Sequence, residues 1–309
     1  MHTVTLSGAS ASAATYAFSL SGVDATAGSD FTNAPVFSNG VTLAGGIITV
    51  PAGVTSFTVT VPTLQDTTDE PAETTALVVG GVAATGTITD DDNAPTIASV
   101  SSASAVEATS IVHTVTLSNA SSSSTTYTLS LADVSATGGG TDYTSTLTNA
   151  SFSNGVTIAA GVITVPAGVT SFTVTVPTTA DTIDEANETY TLTVGAASGS
   201  GTINDDDNAP TIQGVTSATQ VEGTSLVHTV TLTNASSSST SFAYTLGGGS
   251  ATSGTDYTNP PTFSNGVTLV AGNLNVPAGV TSFTITVPTT LDTIDEGASE
   301  NYNLSVGGV

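Results

Sequence analysis

Residues 181–207 read DTIDEANETYTLTVGAASGSGTINDDD, and this stretch predicts a β-hairpin flanked by acidic runs. Tyr190, Leu192 and Val194 alternate with threonines, which is the period of a half-buried strand. The glycine-rich residues 195–199 predict the turn, and a second strand follows it. The two acidic runs therefore stand at the open end of the hairpin.

The acidic runs are predicted to lie side by side. If the turn centres near Ala197, Glu188 faces Asp206 across the hairpin. The chain contains no lysine or arginine, so only protons, solvent or a bound cation can relieve the repulsion between these carboxylates. Two carboxylates about 4 Å apart repel by about 1 kcal/mol in water and about 4 kcal/mol near a protein surface. The stretch therefore predicts a cation site.

Three motifs recur along the chain and define its organisation. They are HTVTL at His2, His113 and His228, PAGVTSFT at Pro51, Pro166 and Pro277, and DDDNAPTI at Asp90 and Asp205. The histidines are 111 and 115 residues apart, so each repeat has the size of a domain. We expect a first repeat at 1–92 without its first strand, a complete repeat at 93–207, and a third at 208–309 without its last strand.

Within the middle repeat, short alternating segments predict an all-β fold. The predicted inward faces carry Ile111, His113, Val115 and Leu117, then Tyr127, Leu129 and Leu131, then Phe172, Val174 and Val176. The dipeptide Asn154-Gly155 is typical of a two-residue hairpin turn, in which both residues have positive φ. Seven to nine such strands per repeat predict tandem immunoglobulin-like antiparallel β-sandwiches.

Composition excludes several classes of function. A net charge of -25 disfavours nucleic acid and anionic membranes, which are held by basic side chains. The absence of cysteine excludes disulfides, and no apolar run is long enough for membrane insertion. The sequence has no nucleophile triad or phosphate-binding loop, so we expect no enzyme. His113 alternates in phase with apolar residues, which favours a hydrogen-bonded core or strand-edge histidine over a metal ligand or a pH switch.

The acidic residues concentrate at recurring positions. Of the 25 aspartates and glutamates, only Asp24 and Asp133 lie outside positions that recur between repeats. Solubilising charge would be scattered over the strands instead. A surplus of hard oxygen ligands without adjacent histidine or cysteine matches calcium (Ca2+), which accepts six to eight oxygens in irregular loops. Magnesium is disfavoured because it prefers few carboxylates and retains its waters.

Several motifs resemble those of the Calx-beta repeats of sodium–calcium exchangers and of very large bacterial surface proteins. They are VE at Val106-Glu107, GTDY at 140–143, VPAGVTSFTVTVP, DTIDEANETYTL and GTINDDD. The resemblance covers essentially the whole chain and implies a seven-stranded, immunoglobulin-like sandwich of the Calx-beta type. In calcium-binding members, the ligands come from the early VE, the DY turn, the acidic loop and the terminal DDD.

That resemblance implies a set of metal ligands in each repeat. The implied residues are Glu107, Asp142, Asp184, Glu185, Glu188, Asp205, Asp206 and Asp207 in the middle repeat, Asp30, Asp69, Glu70, Glu73, Asp90, Asp91 and Asp92 in the first, and Glu222, Asp256, Asp295, Glu296 and Glu300 in the third. Because the third repeat stops before a DDD motif, we expect it to bind calcium most weakly.

The expected function is structural. We expect a segment of an extracellular bacterial fibre or adhesin at the cell surface, in which calcium at the domain ends stiffens the joints between repeats. The expected partners are neighbouring repeats of the same or identical chains. One alternative is a filament or surface-layer subunit joined by strand complementation. The other is an adhesion module that binds a glycan or cell-surface ligand through residues 118–125 and 136–141, which vary most between repeats.

Overall fold

A computed structural model describes residues 1–293, 297 and 299–309. This part of the chain is built of β-strands, with one short 3₁₀ helix at Asn149–Ser151, which confirms the predicted all-β class. Within the described residues, no helix has the length and apolar character needed to cross a membrane. The predicted ligands Asp295 and Glu296 lie outside the described residues.

The strands fall into three groups along the chain. The first contains β1 (His2–Thr5), β2 (Ala14–Gly22), β3 (Val36–Phe37), β4 (Thr42–Ala44), β5 (Ile47–Val50), β6 (Ser56–Thr60), β7 (Glu73–Val79) and β8 (Val82–Ile88). The second contains β9 (Ile97–Val100), β10 (Ala103–Val106), β11 (Ser110–Leu117), β12 (Thr125–Asp133), β13 (Thr157–Ala159), β14 (Val162–Val165), β15 (Ser171–Pro177), β16 (Ile183–Asp184), β17 (Glu188–Val194) and β18 (Ala197–Asn204). The third contains β19 (Ile212–Val215), β20 (Ser225–Leu232), β21 (Ala235–Ser236), β22 (Thr240–Gly247), β23 (Thr262–Phe263), β24 (Thr268–Val270), β25 (Asn273–Val276), β26 (Ser282–Pro288) and β27 (Asn303–Val306).

Each group folds into a two-sheet sandwich. In the second, the sheet β15-β11-β9 packs on the sheet β10-β18-β17-β12-β14-β13. The first sandwich consists of the sheets β1-β6-β3 and β4-β5-β2-β7-β8, and the third consists of the sheets β19-β20-β26-β23 and β24-β25-β22-β27. Within the second sandwich, β10 and β18 run parallel while the other paired strands run antiparallel. Tandem β-sandwiches are thus the observed architecture.

The core lies between the two sheets and follows the predicted alternation. Along β11, Ile111, His113, Val115 and Leu117 are buried, whereas Val112, Thr114 and Thr116 between them are exposed. Phe172 on β15 and Leu192 on β17 meet them from the two sheets. Full burial of each such side chain contributes roughly 1.5–3 kcal/mol, so this alternation supplies the main stabilisation of the sandwich.

The predicted register of the β17–β18 hairpin is wrong by three residues. Val194 pairs with Ala197, which leaves a two-residue turn, and Glu188 pairs with Ile203 rather than facing Asp206. Gly199, predicted to be in the turn, lies within β18. The position requires glycine because a Cβ there would come 2.4 Å from the backbone oxygen of Ser101. The glycines after the turn thus serve close packing of the strand.

The turn at Asn154-Gly155 has the predicted geometry but not the predicted connection. Both residues have positive φ, 54° and 72°. Phe152, which precedes the turn, bridges to Val174 on β15, whereas β13, which follows it, belongs to the other sheet. The turn therefore carries the chain between sheets. In this part of the sandwich, a two-residue hairpin turn instead lies at Ala160-Gly161, between β13 and β14, with φ values of 49° and 77°.

Candidate metal centre and the joint between repeats

The topology of the middle sandwich brings the acidic segments to one end. Glu107 follows β10, and Asp206 follows β18, which runs parallel to β10. Glu188 opens β17, which runs antiparallel to β18. Parallel strands end together, and an antiparallel neighbour begins where they end. The carboxylates therefore meet at the same edge, as the position of the two acidic runs predicted.

The carboxylates form two clusters in each of the first two repeats. In each cluster, one oxygen from every member lies within 4.8 Å of the others. The middle repeat has Asp142, Glu185 and Glu188 in one cluster and Glu107, Asp206 and Asp207 in the other; the first repeat has Asp30, Glu70 and Glu73, and Asp90, Asp91 and Asp92. In the first repeat, acids of both clusters line one cavity of about 60 Å³. Two neighbouring acidic clusters therefore recur at the same end of the first and second sandwiches.

Crowding of the carboxylates changes their proton affinity. Burial, a hydrogen bond with Asp142 and the charge of Asp142 raise the pKa of Glu188 to about 7. Burial and the same contacts with Asp30 raise the pKa of Glu73 to about 7 in the first repeat. Loss of solvation also raises the pKa of Glu107, which is partly offset by the hydrogen bond from the Asp181 amide. The clusters are therefore electrostatically strained when all their members are ionised.

Backbone hydrogen bonds orient the aspartate of the DY turn. The amide of Thr137 donates to Oδ2 of Asp142 at 2.6 Å, and the amide of Thr252 donates to Oδ2 of Asp256 at 2.6 Å. In the first repeat, Asp30 accepts the same bond from Thr26. One oxygen of each aspartate is thus fixed by the turn.

Calcium fits the clusters of the middle repeat. Oδ2 of Asp207, a member of one cluster, is buried and has no hydrogen-bond partner among the described residues. Burying such an oxygen without a partner is unfavourable. The donor sets consist of carboxylates, the hard oxygen ligands that calcium prefers. Glu107, Asp206 and Asp207 would hold an ion in one cluster, and Asp142, Glu185 and Glu188 in the other.

Several predicted ligands lie elsewhere. Asp205 follows β18, and its amide bonds to Oδ1 of Asn187 at 3.3 Å. Within the described part of the third repeat, Glu222, Asp256 and Glu300 do not form a cluster of three carboxylates. Asp69 and Asp184 stand outside the clusters found in the described residues and contact the following repeat instead.

The contact made by Asp184 joins the second and third repeats. The strands β16 and β21 form a short parallel ladder, in which Asp184 pairs with Ser236. The Ser236 hydroxyl donates to Oδ2 of Asp184 at 2.7 Å, and the Ser237 amide donates to the Asp184 carbonyl at 2.9 Å. This acidic residue therefore belongs to the joint between repeats.

The joint between the first and second repeats is built in the same way. Asp69 forms a parallel bridge with Ser121. The Ser121 hydroxyl donates to Oδ2 of Asp69 at 2.7 Å, the Asp69 amide donates to the Ala120 carbonyl at 3.0 Å, and the Ser122 amide donates to the Asp69 carbonyl at 2.9 Å. The acidic motifs did not indicate the two serines. The expectation that residues 118–125 vary most between repeats is wrong for the second and third, because NASSSST is identical at 119–125 and 234–240, and this identity was the available signal.

The linkers between repeats are bound to the repeat that follows them. Nδ2 of Asn119 donates to the Asn93 carbonyl at 2.9 Å, and Nδ2 of Asn234 donates to the Asn208 carbonyl at 2.8 Å. The Tyr127 hydroxyl donates to the Pro95 carbonyl at 2.6 Å. Part of the surface predicted to bind a ligand, residues 118–125, thus holds the linker and the preceding repeat.

The same end of the third sandwich is more open. A cavity of about 1050 Å³ is lined by Glu222, Asp256 and Tyr302, among others. Tyr302 is half-buried, whereas Tyr190 at the equivalent position is fully buried. The reason is that β17 is flanked by β12 and β18, whereas β27 is paired only with β22 within the described residues.

Fold and site together define a class of protein, tandem immunoglobulin-like β-sandwiches with acidic clusters at one end of the repeat. The Calx-beta domain family matches residues 90–167, 157–204 and 205–308. The chain therefore belongs to the Calx-beta domain family, as the sequence motifs indicated. Calcium binding is a general property of Calx-beta domains.

Other comparisons are weaker. An I-band fragment of titin is 10% identical, with 96% of this chain and 88% of that chain covered and a TM-score of 0.28. A marsupial T cell receptor is 9% identical, with 86% and 78% covered and a TM-score of 0.21. No curated protein sequence matches the chain.

Proposed function

We propose that this chain is a structural segment of an extracellular fibre or adhesin, in which calcium bound at the end of each sandwich stiffens the joint to the next. The observation that carries the proposal is the position of the acidic loop. Glu185 belongs to a carboxylate cluster, and the preceding residue, Asp184, bonds to the next repeat. An ion in the cluster would therefore immobilise the segment that reaches across the joint.

The charge balance supports a requirement for cations. The chain has a net charge of -25 and no basic side chain except three histidines, so its clusters have no internal counter-charge. Calx-beta and immunoglobulin-like domains are typically non-catalytic, which agrees with a mechanical role. Extracellular modules bind calcium with Kd of about 10⁻⁴ to 10⁻³ M, and calcium is available at such concentrations outside cells.

Thermal unfolding with and without calcium tests the proposal. At 10 mM calcium, Kd values in that range give about 1.4 to 2.7 kcal/mol of stabilisation per site. A domain of about 100 residues then gains several degrees in Tm. Magnesium at the same concentration is the control, and we expect it to raise Tm less. Equal unfolding midpoints in calcium and in chelator would refute the role of calcium.

A further inference from the structure

The two joints share a hydrogen-bond pattern that consists of protein groups alone. We propose that residues 119–122 and 234–237 are docking loops, which hold the acidic loop of the preceding repeat in a fixed orientation without a bound ion. The assigned partner is the second aspartate of that acidic loop, Asp69 or Asp184. This inference does not depend on calcium binding, although it concerns the same joint as the proposed function.

The docking serines are buried by this contact. Ser121 and Ser236 are each only 4% exposed, although Ser122 and Ser237 beside them are exposed. A buried hydroxyl requires a partner, and the aspartate carboxylate supplies a charge-assisted one. A surface contact of mobile loops would leave such serines accessible.

The backbone of the docking loop is held from its own repeat. The carbonyls of Ser121 and Ser236 accept bonds from the amides of Gly168 and Gly279 at 2.8 and 2.9 Å. The equivalent Ser10 carbonyl accepts from Gly53 at 2.9 Å, although no acidic loop contacts Ser10 within the described residues. The loop therefore keeps its shape without the partner and presents a preformed surface.

The docking loop also binds the linker. Asn119 and Asn234 begin the two loops and bond to the linker carbonyls of Asn93 and Asn208. Two segments that leave the preceding repeat, its acidic loop and its exit linker, are therefore held by one loop of the next repeat. Attachment at two points restricts rotation about the linker, which a single linker cannot do.

Distance measurement between repeats tests this inference. The chain has no cysteine, so spin labels can be placed at Val112→Cys and Val227→Cys alone. These equivalent positions on β11 and β20 are 48% and 49% exposed. In chelator, we expect pulsed electron paramagnetic resonance to give a single narrow distribution of distances between the two labels. Ser236→Ala and Asp184→Ala should each broaden it about two-fold or more, whereas Ser239→Ala, an exposed residue of the same segment, should leave it unchanged.

The two substitutions lie on different repeats, which separates docking from folding. Equal broadening by both, with unchanged circular dichroism, supports the docking contact. A distribution that is already broad in chelator without substitution overturns it, and so does a narrow distribution in both variants. If calcium does not change the thermal midpoint but the distance distribution in chelator is narrow, the proposed role of calcium is refuted and the docking loops are supported.

Discussion

The hydroxyl of Tyr190 lies 2.9 Å from Nε2 of His113, and both side chains are fully buried in the core of the second sandwich. Nδ1 of His113 lies 2.7 Å from the Ser101 carbonyl, which can only accept. The neutral ring therefore donates from Nδ1 and accepts the tyrosine proton at Nε2. Burial lowers the pKa of His113, which agrees with the neutral form. The prediction of a hydrogen-bonded core histidine is confirmed.

Removing this hydroxyl should destabilise the second sandwich. We expect Tyr190→Phe to cost about 1–3 kcal/mol, because it leaves a buried histidine nitrogen without a partner. The measurement is urea unfolding followed by circular dichroism. Tyr302→Phe is the matched control, since Tyr302 makes the same bond to His228 at 2.8 Å but is only partly buried, so that water can replace the hydroxyl. An equal cost for both would contradict the role of burial.

A methyl group at Gly201 should also destabilise the second sandwich. A Cβ at this position would lie 2.2 Å from Cζ of Tyr190. We expect Gly201→Ala to cost about 1–3 kcal/mol or more, because the ring and strand must separate. Gly214→Ala in β19 is the control, since no atom lies within 4 Å of its added Cβ. Urea unfolding of both variants gives the comparison, and an unaffected Gly201→Ala variant would contradict the packing.

Local patterns were sufficient for the strands but not for their register. The alternation along β11 needed only residues close in sequence, and burial of Ile111 and Val115 follows it. The role of Gly199 and Gly201 could not be predicted in this way, because both a turn and a closely packed strand can require glycine. Only the approach of Ser101 and Tyr190, distant in the chain, distinguishes the two.

The candidate site divides in the same way. Recurrence of the acids predicted which end of the sandwich carries the charge, because strand order places those segments together. It could not separate Asp184 from Glu185, which are adjacent in the chain. The partner of Asp184 is Ser236 of the next repeat. The relative orientation of two domains produces no periodic pattern in the sequence of either domain.

Stability without calcium should fall as pH rises. The pKa of Glu188 is about 7 in the folded chain against an ordinary value of 4.5, so between these values the folded state binds more protons than the unfolded state. This stabilisation is complete below about pH 4.5 and is lost as pH rises through about 7. His2 and His113 oppose the trend because burial lowers their pKa, but the glutamates and aspartates with raised pKa outnumber them.

Thermal unfolding in chelator at pH 5 and pH 8 measures this dependence. We expect the higher Tm at pH 5. Calcium competes with protons for the carboxylates, so its stabilising effect should be larger at pH 8. A higher Tm at pH 8 in chelator would show that the clusters are not strained by their charge.

Neutralising one acid of the Asp142, Glu185 and Glu188 cluster should stabilise the chain without calcium and weaken the stabilisation by calcium. Asp142→Asn keeps an oxygen for the Thr137 amide but removes the charge that raises the pKa of Glu188. In chelator at pH 8, we therefore expect a higher Tm than that of the parent chain. In 10 mM calcium, we expect a smaller gain than in the parent, because the cluster has lost one anionic ligand.

Asp256→Asn is the matched control for this substitution. Asp256 accepts the equivalent bond from the Thr252 amide, but within the described residues it belongs to no cluster of three carboxylates. We therefore expect Asp256→Asn to change the calcium response less than Asp142→Asn does, consistent with weakest binding in the third repeat. Calorimetric titration of both variants with calcium measures the difference in affinity. Equal losses of calcium affinity in the two variants would indicate that the third repeat binds calcium as the second does. An unchanged titration for Asp142→Asn would show that Asp142 is not a calcium ligand.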